Sequence, residues 1–128
     1  MPTIIHFEIP ADDLQRARIF YRDLLGWKIE KYEHPNNLSS TEYWLITTID
    51  EKKEKVLMGG MMQRQQPQQQ ILNYLDVPSI DEYASKVEKL GGKVVVPKSA
   101  VPTMGYFAVC LDTENNSFAL WETNSNAK

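Results

Sequence analysis

Apolar positions along the chain follow two different periods. Between Asp13 and Leu25, Leu14, Ala17, Tyr21, Leu24 and Leu25 recur at helical spacing. Asp12 stands in front as a candidate N-cap, with Gln15 placed to close a capping box, and Gly26 follows as a left-handed stop. A second helical stripe, Ile80, Tyr83, Ala84, Val87 and Leu90, has Ser79 as N-cap, Glu82 as box partner and Gly91-Gly92 as terminator. Elsewhere the pattern reads as strand: Ile4–Ile9, Trp27–Tyr32, Glu42–Thr48, Val56–Met62, Ile71–Val77, Lys93–Val96, Tyr106–Leu111 and Ser117–Glu122. Breakers separate them, among them His34-Pro35-Asn36-Asn37, the charged turn 50–55, Pro97, Pro102 and Glu114-Asn115-Asn116. The predicted order is β-α-β-β-β, twice.

The duplication shows in the residues. His6-Phe7-Glu8-Ile9-Pro10 precedes the first helix and Tyr74-Leu75-Asp76-Val77-Pro78 the second: aromatic, apolar, acidic, β-branched, proline. Each helix ends in Leu-Gly, at Leu25-Gly26 and Leu90-Gly91. The sequence thus reads as one domain over residues 1–128, with module one at about 3–62, a glutamine-rich exposed linker at 63–70 and module two at about 71–123. The fold class is α+β.

Composition narrows the function classes. A chain of 128 residues with 42% hydrophobic and 24% charged residues is ordinary globular material, which excludes a fully disordered chain. Its net charge of −3 gives no support for a nucleic-acid partner. No apolar run approaches the roughly 20 residues that span a bilayer, so no membrane partner is expected. The N-terminus lacks the basic flank and apolar stretch of a signal peptide, and the single cysteine, Cys110, allows neither an internal disulfide nor a Cys-based zinc motif. A soluble, cytoplasmic protein is expected.

The run Ile4-Ile5-His6-Phe7-Glu8-Ile9-Pro10 through Tyr21 to Leu25-Gly26-Trp27, and the closing stretch Gly105–Glu122, resemble the vicinal oxygen chelate superfamily. That group includes glyoxalase I, bleomycin-resistance proteins and extradiol dioxygenases, and the likeness extends to proteins related to lactoylglutathione lyase. At the last hairpin the family's Asp-Pro-x-Gly-Asn turn is replaced by Asp112-Thr113-Glu114-Asn115-Asn116. The resemblance implies tandem βαβββ modules forming curled mixed sheets around a cup-shaped cavity, a small-molecule ligand, and a homodimer. Exposed strand edges and apolar faces on so short a chain also favour a second copy.

Metal-dependent members of that superfamily hold a divalent ion on four strand positions, typically His, Glu, His and Glu, at about 2.0–2.2 Å. The resemblance puts the first position on His6. The second falls within Val56–Met62, which contains no such ligand. The third falls on Leu72, or on Tyr74 by the internal repeat, and the fourth on Ala119. Glu122, three residues on, points to the opposite face of a regular strand. One position of four is retained, so no metal site and no cofactor are expected, with a divalent metal as the minority reading.

Alternation places His6 with Glu8, Leu72 with Tyr74 and Asp76, Ala119 with Trp121, and Tyr106 with Ala108 and Cys110. With the His6 face as the cup interior, as the resemblance implies, His6 and Glu8 are the candidate catalytic pair, and Tyr74, Tyr106 and Trp121 the candidate ligand-binding wall. A desolvated Glu8 would act as a general base; alternatively Glu8 reaches solvent at the strand end, or pairs with an arginine such as Arg18 or Arg22. Cys110 has no adjacent cation in its strand and reads as a buried, inert thiol. Gly59-Gly60 fits no phosphate loop and lets the strand bend, or lets another backbone or a ligand approach closely, while Met58, Met61 and Met62 suit a pocket, a dimer contact or the core. Three functions remain open: a metal-independent small-molecule-binding protein; a lyase, isomerase or dioxygenase, metal-dependent or built on His6 and Glu8; and a dimeric module with a vestigial cup.

Overall fold

A computed structural model describes residues 1–33 and 42–128; the expected loop at His34-Pro35 lies outside the described residues. The elements are β1 (Ile4–Ala11), α1 (Leu14–Leu25), β2 (Lys28–Lys31), β3 (Tyr43–Thr47), β4 (Met58–Gln63), β5 (Leu72–Asp76), α2 (Ile80–Lys89), β6 (Lys93–Val101), β7 (Gly105–Leu111) and β8 (Ser117–Thr123). The chain divides into two compact units, His6–Ile71 and Leu72–Lys128, the latter taking in Met1–Ile5.

In the first unit the strands run β2-β3-β4-β1, with β1 parallel to β4 and the other pairs antiparallel. In the second they run β6-β7-β8-β5, with β5 parallel to β8 and the other pairs antiparallel. Each unit is therefore a mixed sheet with one helix packed on one face, and the strand plan is the same in both. The first core gathers Ile9, Ala11, Ile29, Trp44, Ile46 and Met61 under Leu14, Ala17 and Tyr21 of α1. The second gathers Val77, Ile80, Ala108, Cys110 and Leu120, with Tyr83 and Val87 of α2 against it. Ile46, Met61 and Ile80 are wholly buried; burying each contributes about 1.5–3 kcal/mol.

Four details differ from the sequence pattern. Asp13, not Asp12, caps α1, its carboxylate accepting from the Arg16 amide at 2.9 Å. Asp12 is instead bound by Arg64 at 3.0 Å, and its carbonyl accepts from Gln63. The apolar stripe of α1 ends at Tyr21, which stacks on Trp27 with ring centroids 5.1 Å apart. Leu24 and Leu25, expected in that stripe, lie in the last turn and are 64% and 52% exposed. Pro97 does not end β6: the strand continues to Val101, with register shifts between Val94 and Val96 and between Val96 and Ser99. A proline is tolerated there because β6 lies at the end of the strand order and the ladder is already irregular. The glutamine-rich segment is folded back on itself, with the Gln69 carboxamide oxygen accepting from the Gln65 amide at 2.7 Å and Arg64 bonded to both the Ala11 and Gln69 carbonyls.

Candidate active site of the first unit

Residues paired in register share a face of a sheet. The pairs His6–Met58 and Glu8–Gly60, then Gly60–Leu45 and Met62–Tyr43, place these side chains together. Phe7, Ile9, Met61, Trp44 and Ile46 occupy the other face, against α1. His6 and Glu8 thus lie on the face away from the helix, both half-buried.

Tyr43 joins them. Its hydroxyl lies 2.9 Å from His6 Nε2 and donates to Glu8 Oε2 at 2.9 Å. A phenol has one proton to give. With that proton directed to Glu8, the Tyr43 oxygen accepts from His6, so the ring carries its hydrogen on Nε2 and its basic lone pair on Nδ1. Burial holds the His6 pKa below the usual histidine value, so the imidazole is neutral at pH 7. The resulting chain of imidazole, phenol and carboxylate can bind a polar group or move a proton without a nucleophile or redox centre.

The neighbouring glycines make this arrangement possible. A Cβ on Gly60 would stand 1.8 Å from the Tyr43 hydroxyl, so the ring crosses the sheet where residue 60 has no side chain. A Cβ on Gly59 would stand 2.4 Å from the Phe7 ring on the opposite face. What comes close at Gly59-Gly60 is neither another backbone nor a ligand but two aromatic side chains, one on each side. Tyr43 itself escapes a search for charged or metal-ligating residues. Its signals were the alternation of β3, which groups Tyr43 with Leu45 and Thr47, and the need to explain two adjacent glycines in a strand.

The second unit holds the other expected site residues. Tyr74, Asp76, Ala119 and Trp121 share the face away from α2, in the pairs Tyr74–Ala119 and Asp76–Trp121. Trp121 Nε1 donates to Thr123 Oγ1 at 3.0 Å. Tyr106 is a correction. The residue opposite Trp121 is Phe107, while Tyr106 pairs with Glu122 and packs with Ala108, Cys110 and Leu120 on the helix side. Its ring lies under Lys98 Nζ at 4.5 Å. The expected wall of Tyr74, Tyr106 and Trp121 is therefore not a common face, because the β7–β8 register puts odd-numbered residues of β7 beside Trp121.

Glu122 also lies on the helix side, as its spacing from Ala119 requires, and accepts from the Ile80 amide at 2.8 Å, capping α2. Cys110 is fully buried; burial and the charge of Glu88 push its thiol up to about 11, well away from a reactive thiolate at pH 7. Two shallow clefts occur elsewhere, one of about 420 Å³ lined by Asp76, Pro78, Tyr83 and Glu122, the other of about 340 Å³ lined by Arg18, Arg22, Trp27 and Glu30. Neither is lined by the five expected site residues.

The fit to a divalent ion is poor. Among the described residues no three His, Cys, Asp or Glu side chains come together. On β4 the residue beside Glu8 is Gly60, and the space a longer side chain would take is filled by Tyr43. Leu72, Tyr74 and Ala119, at the remaining family positions, supply no imidazole or carboxylate.

These two mixed sheets with their helices define the vicinal oxygen chelate fold. Residues 3–37 match the family model described as bleomycin resistance protein-like N-terminal. Among solved structures, a variant of Streptomyces coelicolor methylmalonyl-CoA epimerase in complex with 2-nitronate-propionyl-CoA is 13% identical with a TM-score of 0.66, over 98% of this chain and 97% of that one. Methylmalonyl-CoA epimerase from Mycobacterium tuberculosis is 13% identical with a TM-score of 0.62, over 94% and 87%. A hypothetical protein from Bacillus halodurans is 12% identical with a TM-score of 0.66, over 99% and 98%. No curated protein sequence matches the chain significantly. At these identities the likeness establishes the fold. Among the described residues no helix is long and apolar enough to cross a membrane.

Proposed function

We propose that this chain is a metal-independent small-molecule-binding protein of the glyoxalase and bleomycin-resistance type, working as a cytoplasmic homodimer. Its ligand site is the open sheet face of the first unit. The observation that carries this reading is the Tyr43 hydroxyl bonded at once to His6 and Glu8. A polar trio set among Leu45, Met58 and Met62 has the make-up of a small-molecule site, a few placed polar groups in an apolar surround. Tyr74 and Trp121 give the second unit an aromatic surface of its own, suited to contact rather than to proton transfer.

A thermal-shift screen tests the reading, with oxygenated metabolites, coenzyme A thioesters and cationic glycopeptides as the panel. A true ligand at 100 times its Kd adds about 2.7 kcal/mol of stability, and Tyr43→Phe should remove most of that shift. A ligand whose shift survives Tyr43→Phe, His6→Ala and Glu8→Gln would place the site elsewhere. A second reading, a metal-free enzyme, is favoured by the same hydrogen bonds. His6 and Glu8 linked through a phenol can take a proton from a bound substrate and return it. A ligand that turns over, with a rate lost in Glu8→Gln and retained after chelator treatment, decides for the enzyme.

A further inference from the structure

An ion shared by His6 and Glu8 would need a position about 2.0–2.2 Å from a ligand atom of each. In this protein a hydroxyl stands between those two groups, 2.9 Å from Nε2 and 2.9 Å from Oε2. We infer that Tyr43, seated over Gly60, is the residue that closes this site to metal ions, its hydroxyl standing where an ion bridging His6 and Glu8 would sit. The inference rests on the reading of the site as metal-independent and names the device that makes it so.

Three observations converge on this. The hydroxyl satisfies the imidazole and the carboxylate together, so an ion must break both hydrogen bonds to enter. The proton order puts hydrogen on His6 Nε2, the atom nearest Glu8 through the phenol, and an ion there must displace that proton. Gly60 gives the ring its place and at the same time supplies no ligand. A side chain at residue 60 must first displace the Tyr43 hydroxyl, because any Cβ there meets it at 1.8 Å. Among the described residues, β2 brings Lys28 and Glu30 to this face, which pair with each other at 3.4 Å, Tyr32 just beyond β2 stands opposite Tyr43 with its amide donating to the Tyr43 carbonyl, and β4 adds Met58, Gly60 and Met62. Tyr43 is thus the position that decides between hydrogen-bonding and ion-binding chemistry.

Zinc titration of the full chain, followed by NMR of 15N-labelled histidine rings, tests this. His34 is assigned with His34→Gln, leaving His6 as the reporter. The wild-type His6 ring should hold its Nε2–H form and stay unmoved at zinc concentrations that saturate the variants. Tyr43→Phe, which keeps the ring and removes one oxygen, should bind zinc at His6 at least tenfold more tightly than wild type, and adding Glu8→Gln should reverse the gain. Tyr43→His, which puts a second imidazole beside His6 and Glu8, should gain at least a hundredfold. Zinc binding at His6 in wild type equal to that in Tyr43→Phe would overturn the inference, as would no gain in either variant. A ligand screen that finds nothing would overturn the proposed function and leave this titration unchanged.

Discussion

The two units exchange one pair of residues, and the exchange separates their chemistry. Register aligns β3 with β7 and β4 with β8, so that Tyr43 corresponds to Gly105 and Gly60 to Trp121. In the first unit the ring is on the inner antiparallel strand β3 and the glycine on β4. In the second the glycine is on β7 and the ring on β8, where a Cβ on Gly105 would stand 2.6 Å from the Trp121 indole. The same diagonal contact is made with its partners swapped. In the first unit the ring's hydroxyl thereby reaches the two polar residues of β1. In the second, Trp121 sits beside Asp76 and spends its only donor on Thr123. A shared fold thus presents one face with acid–base character and one with a large aromatic surface. The difference lies in which strand carries the ring.

The largest expected effect breaks this symmetry. Alanine at 105 meets the Glu122 backbone carbonyl at 2.3 Å as well as the indole, and backbone cannot swing aside. Gly105→Ala should cost about 3 kcal/mol, whereas Gly60→Ala, which meets a phenol tip, should cost about 1–2 kcal/mol. Urea denaturation measures both. Double variants sharpen the contrast: Tyr43→Ala should absorb most of the Gly60→Ala cost, while Trp121→Ala should leave most of the Gly105→Ala cost in place. Equal rescue in both units would mean that the carbonyl contact at Gly105 relaxes freely.

A second expectation concerns acid. The folded His6 pKa lies below its unfolded value of 6.5 because of burial. Above pH 6.5 both states are neutral there and the stabilisation is fully present. As the pH falls below 6.5 the unfolded chain binds a proton that the folded chain refuses, so stability drops, by at most about 1.4 kcal/mol per pH unit for one such group. The repeat-related residue in the second unit is Tyr74, a phenol in place of the imidazole. Between pH 7.5 and 5.5, amide protection factors, which correct for the slower intrinsic exchange in acid, should therefore fall in β1 and β4 ahead of β8, and His6→Gln should flatten the urea midpoint over that interval. An equal fall in protection in the two units would place the acid sensitivity outside His6.

Much of this was legible in the sequence, and what was not has definite causes. The succession of strands along the chain, both helices and the Ser79 cap follow from period and capping chemistry, which are local. The face shared by His6 and Glu8 follows from alternation within one strand. Tyr106 was misassigned because alternation fixes which residues of a strand go together but not which partner they meet; that depends on the register of β7 against β8, a long-range quantity. Tyr43 was missed for a related reason. It is separated by 35 residues from Glu8 along the chain, and only the pairings through β4 bring the two together. The cap moved from Asp12 to Asp13 because two acidic neighbours compete for one role and Arg64, from the end of β4, claims the first.

The smallest effect tests the duplication at its most local. The turn after β3 and the turn before β8 are built alike: Asp50 accepts from the amides of Lys52 and Glu54, and Asp112 accepts from those of Glu114 and Asn116. The residue before the last of these is left-handed in both, Lys53 at φ 62° and Asn115 at φ 67°. Asn115 stands where the related family turn has glycine, and asparagine tolerates this conformation because its short amide bonds locally. Lysine has no such compensation. Glycine removes the Cβ conflict at either site but loosens the unfolded chain, and the two effects oppose each other. At Lys53 relief of the conflict is the larger, so Lys53→Gly should stabilise by about 0.5–1 kcal/mol. At Asn115 the two nearly cancel, so Asn115→Gly should change stability by less than about 0.5 kcal/mol. Lys53→Asn should recover about half of the Lys53→Gly gain. Thermal denaturation of the three variants ranks them, and a larger gain at Asn115 than at Lys53 would mean that the two turns, alike in hydrogen bonding, carry different backbone strain.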